Sequence, residues 1–186
     1  MSGGFRAWAF KMRGGLWTLL FAAVLLMAGH QSRRFIVPGL ALVVLGQLWR
    51  FWAAGSIGRY RGEQVGAQRL ATWGPYALMR NPLYFGNGLI GLGWGLMAGP
   101  WAAIVFLIGF AVLYGFIIIP YEESFLSEKF GDEYEDYKNN VGTFFPRSWP
   151  GGKLRGPFDA NILWISERHT VLTTVIGTCL IIWRVL

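Results

Sequence analysis

Long apolar runs separated by short polar stretches dominate the chain. The five apolar segments are residues 15–30, 35–54, 83–99, 100–119 and 170–186. A helix that crosses a bilayer needs about 20 residues. The second and fourth segments meet that length, whereas the first and the last are short unless they extend into their flanks. The pattern predicts an all-α, polytopic membrane protein with about five transmembrane helices.

The stretch from residue 121 to residue 140 is polar and holds seven of the ten acidic residues. Its apolar side chains recur at steps of three and four, which is the spacing of one helix face. They are Leu126, Phe130, Tyr134, Tyr137 and Val141. We expect two short helices, with Gly131 ending the first and a capping box of Asp132 and Glu135 opening the second. Residues 146–160, rich in Pro and Gly, predict a loop.

Composition supports the membrane assignment. The chain is 54% hydrophobic and only 15% charged, whereas soluble domains carry about 25% charged residues. Ten tryptophans fit interfacial belts. The net charge is +7, but the basic residues lie between apolar runs rather than in one patch. We therefore expect a lipid bilayer as the partner and no nucleic acid.

Few side chains in the chain suit a metal ion. Cys179 is the only cysteine, so no intrachain disulfide can form. His30 and His169 are the only histidines and lie far apart in sequence. Zinc or di-iron chemistry lacks ligands in this set, and we expect no metal cofactor.

Basic residues also predict the orientation of the segments. Those in or beside the loop between the second and third segments are Arg50, Arg59, Arg61, Arg69 and Arg80. The turn between the third and fourth segments, "LMAGPWAA", carries no charge. The positive-inside rule then places the Arg-rich loop in the cytoplasm and the uncharged turn outside.

The N-terminus is expected to be cytoplasmic too. Arg6, Lys11 and Arg13 precede the first apolar segment, and no convincing cleavage site follows it, so we predict a retained helix rather than a signal peptide. Two features oppose this orientation. Arg33 and Arg34 would face outward, and so would Arg184 if the last segment spans. A C-terminal helix that lies along the membrane surface would remove the second of these conflicts.

The stretch "GPYALMRNPLYFGN", residues 74–87, lies before and within the third segment. Pro82 suits the first turn of a helix, and Asn81 could cap that helix through its side chain. Arg80 would lie just before the helix. Arg80 could set the membrane topology and contact lipid head groups, or it could form bidentate hydrogen bonds with a carboxylate or phosphate. Tyr84 falls in the first turn and could join either arrangement.

Glu122 and Glu123 follow directly on the fourth apolar segment. A carboxylate near the hydrocarbon boundary is costly unless it is paired or hydrated. Two interpretations stay open: pairing with Arg80 or Arg147, or holding a cationic ligand. Glycines at four-residue spacing in the third segment (Gly91, Gly95 and Gly99) are open in the same way, since they allow either close helix packing or close approach of a ligand.

The order of these motifs resembles a known family. The chain reads L-x-T-x-G-P-Y-A-x-x-R-N-P-L-Y-x-G from Leu70, E-E-x-x-L-x-x-x-F-G-x-x-Y-x-x-Y from Glu122, and V-x-x-F-x-P ending at Pro146. This is similar to the isoprenylcysteine carboxyl methyltransferases and, over the same region, to the phospholipid N-methyltransferases. The resemblance covers about residues 55–147.

The resemblance implies a small multi-helix membrane enzyme that uses S-adenosylmethionine, with a cytosol-facing cofactor pocket built by the C-terminal half. By motif match, the catalytic candidates are Arg80, Asn81 and Tyr84. The cofactor-binding candidates are Tyr76, Arg80, Pro82, Tyr84, Gly91, Gly93, Glu122, Glu123, Tyr134, Tyr137 and Pro146. The chain departs from the family at Asn81, where a His is common. Asn donates and accepts hydrogen bonds but cannot act as a base near pH 7.

We predict one structural domain with N-terminal helices (residues 1–54), a methyltransferase core (55–147) and a C-terminal loop and membrane helix (148–186). The expected substrate is an amphiphilic methyl acceptor, lipid-like or prenylated. Two alternatives stay open: an NADPH-dependent sterol-type membrane reductase, which shares part of the motif pattern, and a non-enzymatic lipid-binding scaffold. The motifs do not identify the acceptor.

Overall fold

A computed structural model describes residues 2–57 and 69–186, and it shows this part of the chain as an all-helical bundle. The helices are α1 (Ser2–Lys11), α2 (Arg13–Met27), α3 (Ile36–Ile57), α4 (Pro75–Leu78), α5 (Pro82–Ala98), α6 (Pro100–Phe110), α7 (Ile119–Phe130), α8 (Asp132–Asn140) and α9 (Asn161–Val185). Short 3₁₀ turns occupy His30–Phe35 and Gly151–Leu154, and a π-helix at Ala111–Ile118 joins α6 to α7. The predicted all-α class is confirmed for the described residues.

Two of the described helices are long and apolar enough to cross a membrane, at Arg33–Ile57 and Pro100–Phe130. They correspond to the second and fourth apolar segments, as predicted. The last segment belongs to the 25-residue helix α9, which begins nine residues earlier in polar sequence. The first forms the shorter apolar helix Arg13–Met27. The number of five membrane crossings is not tested by these observations.

Helix α5 lies at the centre of the bundle and packs most closely on α3. Glycines make this approach possible, because a Cβ on Gly46 would lie 2.8 Å from the carbonyl oxygen of Gly86. A Cβ on Gly93 would lie 2.5 Å from the carbonyl oxygen of Gly39. Backbones can come this near only where both helices present small residues. These pairs also show that α3 and α5 run antiparallel.

The outer faces of the bundle are apolar. Exposed large apolar side chains on α2, α3, the α6–π segment and α9 include Leu19, Leu26, Val37, Leu48, Trp101, Ile108, Phe116, Leu172 and Trp183. An apolar belt of this kind suits contact with lipid chains. At one end of the belt, Arg33 Nε donates to the carbonyl oxygen of Val185 at 3.4 Å, so the start of α3 and the end of α9 come together.

The opposite end carries the starts of α5 and α9 together with the α7–α8 hairpin, and we call it the polar end. The loop of residues 146–160, confirmed as mostly irregular, folds across it. Its anchors are backbone bonds from Gly74 N to Lys153 O and from Asp159 N to Gly55 O, both 2.9 Å. The predicted Arg-rich loop cannot be placed, because Arg59 and Arg61 lie outside the described residues.

Gly131 ends α7 with φ +53°, as predicted, but both predicted side-chain caps are wrong. Gly131 itself occupies the cap position of α8 and has no side chain, so Asp132 becomes the first helical residue. Glu135 instead accepts a hydrogen bond from Ser127 Oγ at 2.6 Å. Asn81 precedes α5 without a capping bond, because its amide turns towards Glu123 on α7.

Candidate functional site

The two motif segments meet at the polar end. Arg80 lies just before α5. Its Nε donates to Oε1 of Glu123 on α7 at 2.9 Å, and its NH2 nitrogen lies 2.9 Å from the same oxygen in an ion pair. The Asn81 amide reaches the same oxygen at 3.4 Å. The side chains are 6% and 13% exposed, so the ion pair is largely dry. Residues 43 positions apart in sequence are thus joined by one carboxylate oxygen.

The remaining guanidinium donors of Arg80 reach α8 and the chain behind it. NH1 donates to the carbonyl oxygens of Lys138 and Val141, and NH2 donates to Thr143 Oγ1 at 2.9 Å. The carbonyls belong to the C-terminal turn of α8 and the residue after it, where a cation is favourable. All three guanidinium nitrogens of Arg80 are therefore engaged within the protein. Arg80 therefore positions α5 against α7 and α8. To bind a cofactor carboxylate, its guanidinium would have to break one of these bonds.

Backbone bonds support the same junction. The N–H groups of Arg80 and Asn81 donate to the carbonyl oxygens of Gly142 and Thr143 at 2.9 and 3.2 Å. The segment before α5 and the segment after α8 thus lie parallel, with a bridge between Met79 and Gly142. Residues of the predicted family motifs at 80–84, 122–137 and 141–144 thus come together in one group, which we call the motif cluster.

Tyr84 and Glu122 form a second contact between the motifs. The Tyr84 hydroxyl donates to Glu122 Oε2 at 2.7 Å, and the Tyr84 ring lies 4.8 Å from the Tyr114 ring. The carboxylate is thereby fixed at the rim of an aromatic cluster that also includes Phe110 and Phe144. A carboxylate beside stacked rings is a chemical environment suited to a cation.

Tyr76, Tyr134 and Tyr137 form the floor of the cluster, where all three are buried. The Tyr137 hydroxyl donates to the carbonyl oxygen of Tyr76 at 2.8 Å, which ties α8 to α4. Burial and then the neighbouring Tyr76 raise the pKa of Tyr137 well above its ordinary value. Burial and then the carboxylate of Glu123 raise the pKa of Tyr134 in the same direction. Both tyrosines therefore stay neutral across the physiological range.

Three other candidates are not brought into this cluster. A Cβ on Gly91 would lie 2.2 Å from the Phe106 ring, and Gly93 packs on α3, so both glycines serve helix contacts in this structure. Pro146 is exposed beside the cluster. Pro82 is buried at the first position of α5, as predicted from its fixed φ. A direct cofactor contact of Gly91, Gly93 or Pro146 stays a prediction.

A cavity of about 270 Å³, lined by both polar and apolar side chains, lies on the other side of Tyr84. Its lining comes from α2, α3, α5, the π-helix and α9, and it comprises Arg13, Gly14, Trp17, Arg50, Tyr84, Asn87, Ile90, Trp94, Tyr114, His169, Thr170, Thr173 and Thr174. The volume is just below the range of about 300–1,000 Å³ typical of small-molecule sites. Tyr84 alone belongs both to the motif cluster and to this cavity.

A buried ion pair forms one wall of the cavity. Arg50 Nε and NH2 donate to the two oxygens of Glu167, each at 3.0 Å, with side chains 3% and 1% exposed. The other Arg50 donors reach the carbonyl oxygen of Leu83, Asn87 Oδ1 and Thr170 Oγ1. The pair joins α3, α5 and α9 at a single point. A bidentate ion pair with further hydrogen bonds offsets part of the desolvation free energy of two buried charges.

The π-helix positions Tyr114 at this wall. Its wider turn continues α6 into α7 without a break and leaves Tyr114 3% exposed beside Trp17 and Phe110. Asn87 Nδ2 donates to the Tyr114 hydroxyl at 3.3 Å. Wide turns of this type occur often at functional sites.

Sequence reasoning missed this second half of the site. Arg50 was assigned to topology, and α9 was not given a motif. The sequence does carry one signal. Glu167 is the only acidic residue of the stretch "WISERHTVL", which leads into an apolar helix. A carboxylate in such a place requires a partner. The identity of that partner, 117 residues away, does not follow from the pattern.

Comparisons with known proteins identify the family. The model of a family described as phospholipid methyltransferase matches residues 34–133. A probable protein-S-isoprenylcysteine O-methyltransferase of Oryza sativa subsp. indica is 35% identical over 116 residues, which is 58% of this chain and 59% of that protein. The phosphatidylethanolamine N-methyltransferase of Rattus norvegicus is 30% identical over 108 residues, or 55% and 53% of the two chains. The predicted family is confirmed.

Another relative is named for metal resistance rather than for methyl transfer. The nickel-cobalt-cadmium resistance protein NccN of Alcaligenes xylosoxydans xylosoxydans is 31% identical over 148 residues, which is 74% of this chain and 66% of that protein. The chain thus spans between about half and two thirds of the length of these curated relatives. No solved structure gives a significant match. Among the described residues, no three His, Cys, Asp or Glu side chains group in a way that could hold a metal ion.

Proposed function

The chain belongs to the phospholipid methyltransferase family, and from this premise we propose that it is an integral membrane methyltransferase that uses S-adenosylmethionine and modifies an amphiphilic acceptor. The observation that carries the proposal is the contact of Tyr84 with Glu122. It joins the two family motifs at the wall of a cavity that combines polar and apolar side chains. The methyl donor and the methyl acceptor could therefore bind on opposite sides of Tyr84.

The chemistry of this junction fits the cofactor. When bound, S-adenosylmethionine supplies an electrophilic methyl group on a sulfonium cation. Glu122 would hold the ammonium of its amino-acid part, because the carboxylate is already fixed by the Tyr84 hydroxyl. The rings of Tyr84 and Tyr114 would face the sulfonium, a cation–π contact of about 0.5–2 kcal/mol. Arg80 and Glu123 bind each other, so their part is to hold α5, α7 and α8 in register.

Positioning is the main catalytic contribution that this site offers. Orientation of two reactants can lower a barrier by about 7–11 kcal/mol in effective-molarity terms. The aromatic cluster would help to exclude water from the reacting region, and no histidine is required when the acceptor atom carries its own lone pair. Asn81 fits this scheme, since its amide supports Glu123 rather than moving a proton.

The polar end would face the cytoplasm, together with the N-terminus. Among the described residues near this end are Lys11, Arg13, Arg69 and Arg80, which support the positive-inside orientation. A water-soluble, charged cofactor would then arrive from the cytosol. An amphiphilic acceptor would enter from the bilayer, past the apolar outer faces of the helices.

The test is methyl transfer by membranes that contain the protein. Membranes would be incubated with methyl-labelled S-adenosylmethionine, and labelled lipids identified by mass. The proposal predicts label in an extractable amphiphile, and it predicts loss of that label in Glu122→Gln. Absence of label together with oxidation of NADPH on a sterol extract would favour the reductase. Absence of label and of binding to either cofactor would favour the scaffold.

A further inference from the structure

The cavity beside Tyr84 has an unbalanced charge. Three of its lining residues carry basic side chains, Arg13, Arg50 and His169, and no carboxylate is among the described residues that line it. Arg50 is neutralised by the two-pronged pair with Glu167. Arg13 is different. Within the described part of the chain its guanidinium makes one hydrogen bond, from NH1 to the carbonyl oxygen of Phe10, and it stacks on the Phe10 ring at 4.2 Å.

The Tyr114 hydroxyl is oriented as a hydrogen-bond donor towards the same cavity. Asn87 Oδ1 accepts from Arg50, so the amide of Asn87 must present Nδ2 to Tyr114. The Tyr114 oxygen therefore accepts a hydrogen bond, and its own proton is left to donate elsewhere. The ion pair with Glu167 fixes this polarity, because it holds Arg50 in place through both carboxylate oxygens.

The cavity reaches the outer surface between α2 and α9. Gly14 on α2 and His169 and Thr173 on α9 line it and are exposed. Along the same two helices, Leu19 and Leu172 present apolar side chains to the outside. A polar head in the cavity could thus leave its hydrocarbon chain lying against the outer faces of the bundle.

We infer that this cavity binds the anionic head group of an amphiphile, with Arg13, Tyr114 and His169 as its ligands and the Arg50–Glu167 pair as the support that orients Tyr114. The inference rests on the proposed function in one respect, since that amphiphile is the methyl acceptor. The head is a carboxylate or a phosphate, which share the oxygen chemistry that a guanidinium and a phenol recognise. Glu122 is not among the residues that line the cavity, and its carboxylate accepts the hydrogen bond of the Tyr84 hydroxyl.

The test is calorimetric titration of the purified full chain in a neutral maltoside detergent, without S-adenosylmethionine. The probes are oleate, oleyl phosphate, oleyl alcohol and oleylamine, which share one hydrocarbon chain. We expect at least one anionic probe to bind roughly tenfold or more tightly than the alcohol, the effect of charge-assisted hydrogen bonds. A preference for oleate identifies a carboxylate head, and a preference for oleyl phosphate identifies a phosphate head.

Variants separate the cavity from general attraction of anions to a basic protein. Arg13→Gln and Tyr114→Phe should each weaken binding of the preferred anion, by roughly tenfold for the arginine. Arg155→Gln removes the same charge from the exposed loop and should bind like the wild type. Equal binding of the alcohol or amine, or equal weakening by Arg13→Gln and Arg155→Gln, would overturn the inference. Because no arm contains the cofactor, anion binding without methyl transfer would count against the proposed function alone.

Discussion

Arg80 and Glu123 close directly on each other, with two guanidinium nitrogens at 2.9 Å from one carboxylate oxygen. The motif residues converge, as expected, but their charges are spent on holding three helices together and no cofactor fits between them in this arrangement. We therefore propose that Glu122, one residue earlier, binds the cofactor, since its carboxylate lies beside the aromatic cluster and accepts the Tyr84 hydroxyl. The adjacent glutamates thus have different parts, because they project in different directions from α7.

Replacing the two glutamates should separate these parts. Glu123→Ala leaves the Arg80 guanidinium buried without its carboxylate, and we expect a loss of about 3 kcal/mol in unfolding free energy. Glu122→Gln keeps the size of the side chain and should leave stability nearly unchanged while weakening binding of S-adenosylmethionine at least about tenfold. Thermal unfolding in detergent and calorimetric titration measure the two effects. Equal stability losses in both variants would contradict the division.

The Arg50–Glu167 pair should be more costly to break than to remove. Glu167→Gln leaves a buried guanidinium charge uncompensated, with an expected loss of about 3–5 kcal/mol. The double variant Arg50→Met with Glu167→Met removes both charges and should recover most of that loss, because the pair is almost completely buried. Denaturation of the single and double variants in the same detergent checks this. A double variant as unstable as the single one would show that the pair contributes net stability.

Glycines in α5 should act through packing. Gly93→Ala places a Cβ 2.5 Å from the Gly39 carbonyl oxygen and 2.8 Å from Val43, so we expect a loss of about 1–3 kcal/mol from overpacking. Gly115→Ala is the matched control, because no atom lies within 4 Å of its added Cβ. The unfolding temperature without cofactor is the measurement. If Gly93→Ala kept its unfolding temperature but lost affinity for S-adenosylmethionine, the direct cofactor contact predicted from sequence would be favoured instead.

The buried tyrosines of α8 predict a pH dependence. Burial and Glu123 raise the pKa of Tyr134 above the value of about 10 that it has in the unfolded chain. Between the pKa of Tyr134 in the unfolded chain and its higher pKa in the folded chain, the unfolded chain binds fewer protons than the folded one. The contribution of Tyr134 to stability is therefore full below about pH 10 and falls as the pH rises. Tyr134→Phe should reduce this alkaline loss. Unfolding temperatures of both proteins across the alkaline range, compared for slope, provide the check.

Local sequence signals predict the all-α class, several helix boundaries and the residues of the motif cluster. Pro82 and Gly131 mark boundaries through their own backbone preferences, and both boundaries are confirmed. The pairing of Arg80 with Glu123 was among the alternatives because both residues flank apolar segments. By contrast, the cavity depends on contacts such as Arg50 with Glu167 and Asn87 with Tyr114, which join helices far apart in sequence. The periodicity of apolar residues does not say which helix faces meet, so the cavity could not be predicted from the sequence.

The two wrong caps have different causes. Asp132 and Asn81 both have the side chain of a good cap. Before α8, Gly131 takes the cap position in a left-handed conformation, so Asp132 falls one residue inside the helix. Before α5, Asn81 does occupy the cap position, but Glu123 draws its amide away from the helix.

The central claim is that the protein binds S-adenosylmethionine at the junction of Glu122 and Tyr84, and calorimetric titration of the purified chain with that cofactor tests it most directly. We predict saturable binding to the wild type, binding at least about tenfold weaker to Glu122→Gln, and unchanged binding to Arg155→Gln on the exposed loop. A wild-type protein that is folded by thermal unfolding and yet binds no S-adenosylmethionine, or a Glu122→Gln variant that binds as tightly as the wild type, would contradict the claim.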